Sequence, residues 1–267
     1  MFSFFLKKNL ADGWDNLFFL VLTNVFSIIV AVLTVFTFSF LGNINPLLQN
    51  LVMILFGGLF MVVNFAQGAC ALKIANFDSP SFGTFFRALT YVWKIGFAFG
   101  CFVVLGGLLI RVGILYYLEL GNLLGLLIVA LLGWFTFISA MALQWFVPLY
   151  FLQEQNGFMK CLKKSFIIFF DNPFFSFSCF LYNVLLFALS FVLFFLAPGF
   201  AGLVLSTTNA LRLRLKKYDW LEEMEEKEPG FSSDRNKRYN VPWDELIKED
   251  RETLGPRKLS SFIFPWR

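Results

Sequence analysis

Long apolar runs decide what this chain can become. A helix needs about 20 mostly apolar residues to cross the hydrocarbon of a bilayer. Runs at about residues 14–41, 46–72, 93–118, 123–152 and 174–196 reach that length, and a shorter one at 200–215 follows a Pro198-Gly199 break. Composition agrees: the 267 residues are 58% hydrophobic and 15% charged, with a mean hydropathy of +0.70. A soluble domain of this size rarely tolerates that balance. The first run is too long for the apolar core of a signal peptide and lacks an A-x-A cleavage pattern, so it is expected to stay attached as a helix. The expectation is an all-α polytopic transmembrane helix bundle over 1–218, with about six spans in three hairpins, followed by a charged cytoplasmic tail over 219–267.

Each hairpin has a basic threshold. Lys7-Lys8 is followed after six residues by Asp15-Asn16, and Lys163-Lys164 after six residues by Asp171-Asn172. A third copy without the acidic pair runs through Arg87 and Lys94. The periodicity reads as amphipathic lead-in helices at the interface. In one, Phe82, Phe86, Leu89 and Trp93 oppose Thr84, Arg87, Tyr91 and Lys94. In another, Phe158, Leu162, Phe166 and Phe169 oppose Lys160, Lys163 and Lys164. Punctuation fills in the rest. Pro46 opens the second span, Ser79-Pro80 starts the helix after Asp78, Glu119-Leu120-Gly121-Asn122 turns, and Pro148 kinks the fourth span.

Charge is segregated along the chain. Residues 1–218 hold 13 of the 22 Lys and Arg but 6 of the 18 Asp and Glu, so the tail is mildly acidic. With six spans, the basic residues at span ends all fall on one side, and the three loops opposite carry none. By the positive-inside tendency that side is cytoplasmic, as are both termini. Trp14, Trp93 and Trp145 then mark one interface, and Tyr116-Tyr117 the other. Anionic headgroups are the expected partner of the basic inner face. Nucleic acid is not, because the basic residues hug membrane ends and form no separate patch.

Chemistry is sparse. The chain has no His, and its four Cys share no metal-ligand spacing, so no metal or cofactor is expected. No G-x-S-x-G, phosphate-cradling Gly-rich loop, H-E-x-x-H or usable carboxylate pair is present, so no catalytic residues are assigned. Asp12, Asp15 and Asp171 read as interfacial caps. Arg111 is the only charge well inside a span, where it costs on the order of 2.5–3.5 kcal/mol. It either snorkels to the far headgroups or meets an anion or lipid phosphate in the bundle. Ser206, Thr207, Thr208 and Asn209, just after the Pro-Gly break, are the best candidates to line a solute path. Asn24, Asn64, Gln67, Gln144 and Asn183 read as interhelical glue. Gly57-Gly58, Gly96-x-x-x-Gly100, Gly106-Gly107 and Gly121-x-x-x-Gly125 read as close-packing surfaces. In the tail, residues 220–228 extend the last helix and 242–254 form a short one. The aromatic terminus, with Phe262, Phe264 and Trp266, needs cover from the protein's own face, the membrane or a cytoplasmic protein partner.

The segment 82–94, FGTFFRALTYVWK, and the Asn24-containing first span resemble the YesL-like group of bacterial polytopic membrane proteins. Segment 160–173 also resembles the repeated lead-ins of membrane domains fused to some glycerophosphodiester phosphodiesterases. The resemblance covers residues 10–217 and implies a bundle of five or six spans in a bacterial cytoplasmic membrane, with no established activity to transfer. The leading functional expectation is a non-enzymatic accessory or scaffold component for transport or envelope processes. The alternative is a small-solute or anion transporter or channel in its own right. A lipid-modifying enzyme is a third.

Overall fold

The computed structural model describes residues 1–42, 45–153, 157–231, 238 and 240–256. Among them the regular structure is helical, with eleven helices and no strand. Five stretches are long and apolar enough to cross a membrane: Leu17–Leu41, Pro46–Ala75, Phe82–Glu119, Leu123–Leu152 and Pro173–Val192. Over the described residues the chain is all-helical, and its five long apolar helices suggest an integral membrane protein.

Helix α1, Phe2–Asp15, lies before the first long helix, α2, Leu17–Gly42. Helix α3, Pro46–Ala75, has Pro46 in its first turn, as the sequence predicts, and the Asn45 side chain caps it by accepting from the amides of Leu47 and Leu48. Helix α4, Phe82–Glu119, packs against α3 at close range. A Cβ on Gly100 would lie 2.3 Å from the Gly57 carbonyl oxygen, and one on Gly96 would lie 2.9 Å from the Val62 Cα. Only glycine permits this approach, as small-residue packing in membranes requires. Gly106 and Gly107 touch nothing within 4 Å of a would-be Cβ, so that pair is not a packing surface.

The start of α4 differs from the expectation in three ways. Its cap is Ser81, whose side chain accepts from the Thr84 amide, not Ser79. The lead-in and the third span are one continuous helix. Its buried face is Phe85, Ala88 and Val92, leaving Phe86 and Trp93 exposed. This segment is apolar on both candidate faces. Packing against Phe26 of α2 and the small residues of α3 chooses between them.

The α4–α5 turn follows the sequence. Gly121 has φ +60, and the Asn122 side chain caps the Gly125 amide at 2.8 Å. Helix α5, Leu123–Leu143, then breaks at Gln144-Trp145 and resumes as α6, Phe146–Leu152. The break sits just ahead of Pro148, which lacks the N–H that would bond back across it. Trp145 is no interfacial anchor. It is fully buried, stacks on Phe175, and donates its indole N–H to Ser176 Oγ at 3.1 Å.

Helix α7, Phe158–Asp171, is amphipathic, with Cys161, Ser165, Ile168 and Phe169 buried. Helix α8, Pro173–Val192, returns through a turn into α9, Gly199–Lys227. These two run antiparallel, as Ser190 pairs with Gly199 and Asn172 with Tyr218. Helix α9 is not among the five apolar stretches, yet Gly199 to Leu213 is nearly all buried, enclosed by α1, α2, α3, α6 and α8. Its outer segment continues to Lys227, as expected for the acidic extension. Over residues 243–254 the tail forms two short helices, α10 (Trp243–Leu246) and α11 (Lys248–Leu254), rather than one, with Gly255 at φ +69 as the stop.

Candidate functional site

Helix α1 brings an ion pair into the bundle. Lys8 and Asp12 are four residues apart and so share a face, as do Phe4, Phe5 and Ala11 on the apolar stripe that seats the helix. The Lys8 ammonium is wholly buried, 2.8 Å from Asp12 Oδ2, and its other side faces the Phe77 ring, 3.7 Å from the centroid. Asn209, on α9, donates to the same Asp12 oxygen at 2.9 Å and to Asn9 Oδ1 at 3.2 Å. Asn9 in turn donates to the Tyr182 hydroxyl on α8 at 3.0 Å. One polar network thus ties α1, α8 and α9 together. Burial pulls both charged groups toward their neutral forms, Asp12 above the ordinary carboxylate value and Lys8 below the ordinary amine value, against their mutual attraction.

This network backs onto open space. A cleft of about 270 Å³ lies between α1, α2, α8 and α9. Asn9 and Tyr182 bring polar groups to its wall, which Trp14 also lines. The rest is apolar, including Leu10, Leu17, Leu186 and Leu189, with Gly13 on the α1 side. A mostly apolar cleft with a few convergent polar groups and a perturbed ion pair behind them is the ordinary anatomy of a binding site.

A second polar clamp holds the α8–α9 turn, whose Pro198 lines the cleft. Asn24 of α2 donates to the carbonyls of Leu196 (3.0 Å) and Pro198 (2.9 Å) and accepts from the Ala201 amide at 2.8 Å. Gly199, at φ +60, lies so close to Asn24 that a Cβ there would be 2.2 Å from its side-chain nitrogen. Nearby, Gln67 of α3 donates to the Thr23 carbonyl and to Ser27 Oγ. Asn24, Gln67 and Gln144, which bonds the Ser176 carbonyl, are therefore interhelical ties. Asn64 donates to the Phe60 carbonyl of its own helix.

At the basic end two carboxylates gather cations. Asp171 accepts from the Tyr218 hydroxyl at 2.6 Å and pairs with Arg238, with Lys217 3.8 Å away. Burial alone would raise its pKa, but these partners hold it below the ordinary value. Asp250 of α11 takes a two-pronged contact from Arg212 at 3.0 and 3.1 Å and a third from Lys216 at 2.9 Å.

Arg111 and the Ser206–Asn209 cluster, singled out from sequence, are not brought together. Arg111 is exposed on the outer face of α4, away from the α9 cluster. Ser206, Thr207, Thr208 and Asn209 are buried. Thr207 and Thr208 bond back to Val204, which leaves Asn209 as the member that reaches other helices. Phe262, Phe264 and Trp266 lie outside the described residues. The Lys8–Asp12 pair is legible in the sequence as opposite charges at helical spacing in an apolar helix. Its burial is not. Among the described residues no cluster of three metal-ligating side chains forms, and all four Cys are free.

Comparison of the chain with family models, with curated proteins and with solved structures finds no match. Function is therefore read from the chain's own geometry.

Proposed function

We propose that this chain is a non-catalytic membrane component that works by binding, holding a lipid-like amphiphile in the cleft between α1, α2, α8 and α9 and presenting a charged plate at its basic end. We place that end on the cytoplasmic side of a bacterial inner membrane, where positive residues gather and where the YesL-like resemblance also points. In this reading the protein assists a transport or envelope process and does not conduct or transform a solute itself.

One observation carries the reading. The open space beside the polar network is walled almost wholly by apolar side chains, and Asn9 and Tyr182 bring polar groups to it. Such a cavity suits an acyl chain with a hydrogen-bonding head better than a hydrated ion.

A second reading, solute transport through the bundle, is favoured by Gln67 Oε1, Ser206 Oγ and Asn209 Oδ1, three of the six buried side-chain oxygens without partners among the described residues. Buried acceptors of this kind usually find water or a ligand.

Gly13 separates the two. A side chain there meets nothing within 4 Å and would fill the cleft. Native mass spectrometry of delipidated protein, with phosphatidylglycerol or phosphatidylethanolamine added back, should show a retained lipid that Gly13→Phe loses at unchanged thermal stability. Proteoliposomes should show no flux of small anions. Flux abolished by Asn209→Leu, with equal lipid retention by Gly13→Phe and the parent protein, would establish the transport reading instead.

A further inference from the structure

The basic residues at the end of α9 face the chain's own tail. Arg212 and Lys216 are four residues apart and project on one side, where both reach Asp250. The Arg212 guanidinium is pre-set from behind, since its Nε donates to Asn76 Oδ1 at 2.7 Å and it lies over the Phe77 ring at 5.9 Å. Phe77 holds φ +62, an unusual backbone state for a large residue. Lys216 also donates to the Leu246 carbonyl at 3.1 Å. Between them Arg214 is flanked by Phe175 and by Trp243 of the tail, 5.2 and 5.8 Å from the ring centroids. Ile247 and Leu254 bury their side chains in the cluster that α1, α6, α8 and α9 form. Three alternate residues of α9 are thus each answered by α10 or α11.

We propose that Arg212 and Lys216, with Asn76 orienting the guanidinium, form a phosphate-binding site that Asp250 occupies in cis, so that phosphate-bearing ligands and the docked tail compete for it. The chemistry is shared. A planar guanidinium takes a carboxylate or a phosphate by the same two parallel hydrogen bonds, and an ammonium four residues on adds a point charge to either. Asp250 has 4% of its side chain exposed, whereas Arg212 and Lys216 keep 18% and 23%, so a ligand approaches from the cations' side. The tethered carboxylate acts at an effective concentration on the order of millimolar. Headgroups at a bilayer surface, concentrated beside the end of a membrane-embedded helix, reach that range and add the surface potential of anionic lipid. The docked tail is then the state of a neutral surface. The released tail, with its apolar residues free to bind elsewhere, is the state of an anionic one. This inference is independent of what the lateral cleft holds.

Hydrogen exchange of residues 243–254 in the full chain tests it, in nanodiscs of phosphatidylcholine alone, of phosphatidylcholine with phosphatidylglycerol, and of phosphatidylcholine with added inorganic phosphate. Exchange should speed up by about tenfold or more when the site is taken, the scale set by losing charge-assisted hydrogen bonds. Amides of α3 and α4 should stay unchanged. A response to phosphatidylglycerol assigns the site to lipid headgroups, and a response to phosphate in neutral discs assigns it to soluble phosphates. Asp250→Asn should exchange fast in neutral discs and gain nothing from either ligand. Arg212→Gln should lose the ligand response. Equal protection in all three conditions overturns the proposal, as does an Asp250→Asn tail as well protected as the parent's in neutral discs.

Discussion

At the residue scale the protein is governed by what its few polar side chains do once buried. Lys8 and Asp12 show the cost most clearly. Alone, either would be an uncompensated charge inside the bundle, and removing one partner of such a pair costs about 3–5 kcal/mol. Removing both, as in Lys8→Met with Asp12→Leu, exchanges the pair for apolar volume. It should cost less than either single change, although Asn209 then loses its carboxylate acceptor. Thermal unfolding midpoints in detergent check this: Asp12→Leu and Lys8→Met should each melt below the double variant. The reverse order would show that Asn209, not the charge pair, dominates the network. Asn24 belongs to the same scale. Its position in the first span was readable as glue, but its three partners around the α8–α9 turn are far away in sequence, so no local pattern could name them.

At the element scale, helices meet where glycine removes the side chain that would hold them apart. Gly57-Gly58 and Gly96-x-x-x-Gly100 were legible as small surfaces, and they face each other between α3 and α4. Gly106-Gly107 has the same signature and makes no such contact. Sequence alone cannot separate the two, because both are small residues in apolar helices and only the partner helix distinguishes them. The consequence is measurable. Gly100→Ala should lower stability by about 1–3 kcal/mol through overpacking, since its Cβ would lie 2.3 Å from the Gly57 carbonyl oxygen. Gly106→Ala should leave the melting midpoint unchanged or raised, through helix propensity. The lead-in of α4 makes a related point. With apolar residues on both faces of 82–94, periodicity favoured the wrong stripe, and contact with α2 and α3 buried Phe85, Ala88 and Val92 instead.

At the scale of the whole molecule, a tail that reads as soluble is partly folded back on the bundle. The contact should depend on acidity. Burial alone would raise the Asp250 pKa, but hydrogen bonds and charge from Arg212 and Lys216 hold it below the ordinary 3.8. A carboxylate depressed in the folded state contributes stability above its unfolded value and loses it as pH falls through the folded one. Protection of residues 243–254 from proteolysis should therefore be flat from neutral pH down to the ordinary carboxylate range and drop below it. In Asp250→Asn that step should vanish, leaving a uniformly weaker protection. A parent protein whose tail is released well above pH 3.8 would point to other groups as the latch.

The sequence by itself determined that this chain is a multi-pass helical membrane protein, because about 20 apolar residues in a row have no other favourable environment and backbone groups in lipid must be satisfied within a helix. It also determined helix ends at Pro46 and at the Gly121-Asn122 turn, since these residues act on their immediate neighbours. Tertiary structure decided the rest. It placed the polar helix α9 at the centre and Arg111 outside, buried Trp145, and paired Lys8 and Arg212 with carboxylates from the chain itself. Burial and pairing depend on neighbours up to 200 residues away in sequence, and those exist only after the helices have packed.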